Sequence, residues 1–195
     1  MPRISAPTLA EHRAMQIRTL HETVRNLLRD APNTPPSLAD IAARAGLARS
    51  SVYQYVHSRD ELLMDLLQES APRWRASCVE AMATAANPVE GALTYLDAAL
   101  ELLVGPERGL ARTLIATWPD HTRAQAEAVR EDLLAPLREA LAGVPAPDPD
   151  AAAEFLTGLT VTAARRVDAG APLEHSRAQV SAIAEPYLRE AAGRA

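Results

Sequence analysis

The sequence predicts an all-α protein, and three observations carry that prediction. Apolar residues recur at spacings of three and four through most of the 195 residues. Aromatic side chains make up only 4% of the chain, and few runs show the β-branched and aromatic alternation that strands require. Proline and glycine clusters interrupt the helical patterns at intervals that suit helix-to-helix turns. With 48% hydrophobic residues, the chain is long enough to bury a core as one or two small domains.

The composition also bounds the setting. A single cysteine excludes an internal disulfide framework and fits a reducing compartment. No apolar run approaches the roughly 18 residues of a membrane span, and the opening "MPRISAPTLAEHRAMQ" lacks an apolar signal core. A cytoplasmic protein with no membrane partner is expected. All 20 basic residues are arginine, as a GC-rich coding sequence would give. The net charge of −5 is unevenly placed. Residues 1–60 hold eight arginines against five acids, whereas the remainder holds twelve against twenty. A basic end on an acidic body suits an anionic partner for that end alone.

The elements follow in order. A first helix is expected from about Thr8 to Arg29, with Ile17, Leu20, Val24, Leu27 and Leu28 on its core face. The three prolines of "APNTPP" end it. Ser37 and Asp40 are spaced as a helix cap and its third-position carboxylate, opening a second helix that stops at Gly46. A third helix spans roughly Ala48 to Val56, held down by Val52 and Val56. On another face it carries Ser50, Tyr53, Gln54 and His57. Ser58 then caps a fourth helix, read to about Glu69 and broad in leucine. Later helices are expected over 71–86, 88–104, 107–117, 121–142, 149–169 and 173–191, separated by proline and glycine breaks.

Two short helices meeting at a glycine turn, inside a three-helix unit, make a helix-turn-helix pattern. Its second helix has to enter a major groove about 12 Å wide while the first braces it. The run "SLADIAARAGLARSSVYQYVHSRDELL", residues 37–63, resembles the TetR family of bacterial transcriptional regulators. The resemblance rests on Ser37, Ile41-Ala42, Ala45-Gly46-Leu47, Tyr53, Ser58, Arg59, Asp60 and Leu62 in matching register. Leu20 and Leu28 add the first helix, so the match covers about residues 13–63. Ala48 stands where the family usually has a serine, Val56 where phenylalanine is commoner, and Ala31-Pro32 where a glycine turn is usual.

The resemblance implies a DNA-binding domain at residues 1–60 and a helical effector-binding and dimerisation domain at 61–195. Ser37, Tyr53, His57 and Arg59 match positions where the family contacts phosphates, and their donors suit phosphate oxygens. Arg49, Ser50, Ser51, Gln54 and Tyr55 are the candidates for base edges, since arginine can fork onto guanine and glutamine onto adenine. Tyr55 has the alternative of packing on the first helix. Arg3, in an N-terminal arm, is placed to reach a minor groove or a phosphate.

In the second domain, Leu66, Trp74, Cys78 and Met82 run at near-helical spacing, with Tyr95, Leu114 and Trp118 available opposite. They could line an apolar effector cavity or simply fill a core. Cys78 is also a candidate redox sensor, with Arg75 the one nearby group that could depress its pKa. Phe155, Leu159 and Thr162, with Val180, Ile183 and Tyr187, form stripes on the last two helices that would pair across a two-fold axis. The resemblance thus implies a homodimeric repressor released from a palindromic operator in double-stranded DNA by a small molecule. Competing readings are a helical partner-binding protein without DNA function and a small-molecule-binding enzyme. The chain carries no HExxH, di-iron Glu-x-x-His pair, glycine-rich phosphate loop or CxxC, so neither a metal nor another cofactor is expected.

Overall fold

In the computed structural model, which describes residues 9–144 and 148–193, helices follow one another along the chain. They are α1 (Leu9–Asp30), α2 (Leu38–Ala45), α3 (Arg49–Val52), α4 (Arg59–Met82), α5 (Pro88–Val104), α6 (Arg108–Thr113), α7 (Asp120–Ala142), α8 (Pro149–Asp168) and α9 (Leu173–Ala192). Among the described residues there is no strand, and no helix is long and apolar enough to cross a membrane.

The first three helices and the start of the fourth close a small core. Leu20, Val24 and Leu28 of α1 pack with Ile41, Val52, Val56 and Leu62, all buried. The larger body is arranged around α5, which packs against α4, α6, α7, α8 and α9. Its Tyr95, Leu96 and Leu100 meet the buried leucines of α4 and α7.

Several expected boundaries differ: α4 ends at Met82 and α6 at Thr113, where the patterns run on to 86 and 117. The helices expected on either side of Ser70 are one continuous α4, with Pro72 inside it. A proline within a helix removes one hydrogen bond and costs roughly 3 kcal/mol. Burial of Ser70, Ala71, Trp74 and Cys78 around the proline offsets that cost. The third helix is shorter than its pattern suggested: only Arg49–Val52 is α-helical, and residues 53–55 continue as a turn.

Two clusters join the small domain to the body. Arg112 of α6 donates to the Leu103 carbonyl from Nε (3.1 Å) and Nη2 (2.7 Å), to Asn33 Oδ1 (2.8 Å), and pairs with Asp168 at 2.5 Å. One side chain thereby ties the loop after α1 to the ends of α5 and α8. On the other side, His21 and Arg25 of α1 reach Glu69 of α4 at 3.0 and 3.2 Å, and Arg25 also donates to Ser70 Oγ.

Between these clusters α6 meets α1 at Gly109. A methyl group at that position would overlap the Leu28 carbonyl and lie 2.9 Å from Leu28 Cβ. Gly109→Ala is therefore expected to push α6 off α1 and destabilise the protein by about 1–3 kcal/mol. Urea unfolding measures this, and a midpoint equal to wild type would mean that the contact yields freely.

Candidate functional site

The helix-turn-helix is built by strong local signals. Ser37 Oγ accepts from the Asp40 N–H (3.2 Å), and the Ser37 N–H donates to Asp40 Oδ2 (2.9 Å), a reciprocal capping box that starts α2. The Ser37 hydroxyl also donates to that carboxylate at 2.6 Å. These bonds hold the Asp40 carboxyl below its ordinary pKa.

At the other end Gly46 adopts φ +68°, the left-handed region that only glycine enters without strain. The Gly46 N–H donates to the Ala43 carbonyl and the Leu47 N–H to the Ala42 carbonyl, which completes a Schellman turn. The chain leaves that turn directly into α3. Ala48 gives α3 no side-chain cap, and Ser50 does not replace it.

Val52 and Val56 are buried and fix α3 to the small core. Arg49, Ser50, Tyr53 and Gln54 are exposed on its outer side, and Ser51 is half-buried. Among the described residues, none of these five side chains has a hydrogen bond or ion pair. Tyr55 is half-buried against the core, with the Arg13 guanidinium 6.0 Å from its ring centre. Its ring therefore faces α1, the alternative that the sequence left open.

The four candidate phosphate residues are differently occupied. Tyr53 presents a free hydroxyl. Both Ser37 donors are spent on Asp40. His57 lies 3.2 Å from Glu61 through Nδ1 and donates its N–H to the same carboxylate, and Arg59 holds Asp60 at 2.6 and 2.8 Å. These last three would exchange an internal carboxylate for a phosphate on binding. Arg3 lies outside the described residues.

The seven candidate effector residues do not line one cavity. Trp74 and Cys78 line a groove of about 480 Å³ between α4 and α5, which Gly105 and Pro106 also line. Leu114 and Trp118 line a separate crevice of about 180 Å³ beside α7. Leu66 is fully buried, Met82 is half-buried, and Tyr95 donates to the Leu133 carbonyl at 2.9 Å, so these three complete the core. Trp74 Nε1 donates to Glu107 at 2.5 Å, and Arg73 adds a second bond to that carboxylate. Burial acts to raise the Glu107 pKa, but these bonds outweigh it and hold the carboxyl below its usual range. Burial pushes the Cys78 thiol up to about 11 and so keeps it protonated at neutral pH. Arg75 pairs with Asp132 instead of turning to the thiol.

The outer face of α8 and α9 is apolar and uncovered. Phe155 is 77% exposed, Ile183 57% and Tyr187 43%. They line a groove of about 590 Å³ with Leu159, and a second groove of about 380 Å³ continues past Leu159, Thr162, Val180 and Ile183. All six candidate interface residues therefore share one face. Val180 is buried and belongs to the core cluster as well as to the groove wall.

Solved structures share this arrangement over most of its length. A putative TetR-family regulator from Shewanella sp. PV-4 aligns with a TM-score of 0.68 at 17% identity, covering 89% of this chain and 97% of that one. The fold is that of the TetR family. AibR, solved with isovaleryl coenzyme A and operator DNA, has the same TetR-type fold with a TM-score of 0.68 at 20% identity, covering 85% of this chain and 96% of its own. FadR from Bacillus subtilis, in complex with stearoyl-CoA, matches at 0.68 and 16% identity over 86% and 96% of the two chains. The family model of the IclR helix-turn-helix domain matches residues 26–58. That span runs from the end of α1 through α3, which is the helix-turn-helix within the TetR-type fold. No curated protein sequence matches the chain.

Arg13 is the residue that sequence reasoning missed. It donates to the Gln54 carbonyl at 2.7 Å and to the Tyr55 carbonyl at 3.2 Å, across 41 and 42 residues. Its place off the apolar stripe of α1 gave no hint of these partners.

Proposed function

We propose that the protein is a homodimeric transcriptional repressor that binds a palindromic operator through α2 and α3 and lets go when a small molecule binds its second domain. The observation that carries this reading is the outer side of α3. Arg49, Ser50 and Gln54 stand exposed and unpaired on a segment whose opposite side, Val52 and Val56, is buried. A helix anchored in this way presents hydrogen-bonding groups to a groove at little reorganisation cost.

In this reading residues 1–60 are the reading head and 61–195 the regulatory body. Arg49, Ser50, Ser51 and Gln54 address base edges, Tyr55 packs towards α1 behind them, and Tyr53, with Ser37, His57 and Arg59, addresses phosphates. Arg3 extends the contact along the DNA. The α8–α9 face joins two copies, and the second domain receives the effector. The α4–α5 groove at Trp74 and Cys78 adjoins the helix that enters both domains, which favours it over the crevice at Trp118. The ligands of AibR and FadR support a small-molecule effector in a body of this shape. Effector binding would shift the population towards dimers whose heads are wrongly spaced. The protein acts in the cytoplasm, without catalysis of its own.

The test is selection of bound duplexes from a random pool. An inverted repeat should emerge, and small-molecule screening against that duplex should find a compound that releases the protein. Enrichment of no sequence at all would refute the reading.

A further inference from the structure

The recognition segment is unusually short, and its far end needs a support that its own sequence does not supply. Only four residues, Arg49–Val52, are α-helical, and Ala48 provides no side-chain cap. A single helical turn is costly to nucleate and is held mainly by tertiary contacts. Its near end is set by the Gly46 turn and its underside by Val52 and Val56. Past Val52 the chain continues as a turn, in which Gln54 N–H donates to the Ser51 carbonyl, and Tyr55 and Val56 N–H both donate to the Val52 carbonyl. Among the described residues, the carbonyls of Gln54 and Tyr55 accept from no main-chain N–H in this turn.

The Arg13 guanidinium takes both. One nitrogen donates to Gln54 at 2.7 Å, a second to Tyr55 at 3.2 Å, and the carbon between them lies 6.0 Å from the Tyr55 ring centre. A planar fork holds two neighbouring carbonyls and lies flat over a ring in one fixed geometry, whereas an ammonium group is a rotating point charge that fixes none. A cation at this end also offsets the partial negative charge of the terminal carbonyls, which would otherwise stand close to DNA phosphates.

The geometry points to Arg13 as a positioning residue for base reading: it clamps the main chain of Gln54 and Tyr55 to α1 and so fixes the direction in which Gln54 addresses a base. Arg13 acts through the backbone of the reading segment, and it is distinct from the residues that touch bases. The inference rests on the proposed function and adds to it a determinant of sequence discrimination on a different helix.

The test uses the full-length protein, the duplex selected by wild type, and a random duplex of equal length. Arg13→Lys keeps the charge and loses the fork, and Arg13→Ala loses both. Arg13→Lys is expected to lower operator affinity by about tenfold, the low end of one good base contact, with little change on random DNA. Amide exchange at residues 53–56 of the free protein should quicken in both variants, with the thermal midpoint nearly unchanged because the side chain is exposed. If Arg13 instead contacts a phosphate, Arg13→Lys would match wild type, and Arg13→Ala would weaken both duplexes alike while reducing the salt slope by about one. That pattern overturns the inference, as does unchanged amide exchange. A wild-type protein that selects no duplex overturns the proposed function along with it, whereas the phosphate pattern overturns the inference alone.

Discussion

Ile183→Asp combined with Tyr187→Asp is expected to yield folded monomers that have lost operator binding by at least about a hundredfold, the scale on which linked binding sites reinforce each other. Both side chains are exposed in the isolated chain, at 57% and 43%, so the substitutions remove little from its own core. In a dimer the same side chains, with Phe155, would each contribute roughly 1.5–3 kcal/mol on burial. A two-fold axis counts each of them twice. Introducing two carboxylates per copy replaces that gain with unpaired buried charge. Sedimentation should show one chain where wild type shows two, while circular dichroism should remain helical. Intact dimers would move the interface away from α8 and α9.

Arg49→Ala together with Gln54→Ala should remove sequence discrimination while sparing most of the general affinity for DNA. Each good base contact contributes about 1–3 kcal/mol of discrimination, so the pair should reduce the preference for operator over random duplex by roughly tenfold or more. Both residues are exposed and unpaired, so the protein's stability should not move. Tyr53→Phe should behave differently, weakening operator and random DNA alike, because a phosphate contact carries no sequence information. Competition binding against both duplexes separates the two patterns. Equal losses on both duplexes for Arg49→Ala with Gln54→Ala would remove these residues from the base-reading set.

The legible parts of the molecule were those set by short-range rules. Ser37, Asp40 and Gly46 announce the ends of α2 at spacings of three and six residues, and each does in the structure what its type and position require. The stripes on α8 and α9 were equally legible, because residues three and four apart share a helix face whatever the rest of the chain does.

Pro72 misled because a proline signals a break locally, whereas the burial that sustains α4 through it comes from partners on other helices. The spacing of Leu66, Trp74 and Met82 could not separate pocket from core, since both need the same apolar face. The structure leaves Trp74 at a groove and places Leu66 fully inside. Arg13 was illegible for a different reason. Its partners are main-chain carbonyls more than 40 residues away, and no pattern in side-chain types encodes such a bond.

If the protein works as proposed, two reading heads joined through the α8–α9 face address half-sites about one helical turn, roughly 34–36 Å, apart. The most direct measurement takes the selected operator and inserts five base pairs between its half-sites, turning one half-site to the opposite side of the duplex. Binding is then expected to fall to the level of a single half-site, with the dimer holding the duplex by one head only. Undiminished affinity for the lengthened duplex would contradict that geometry.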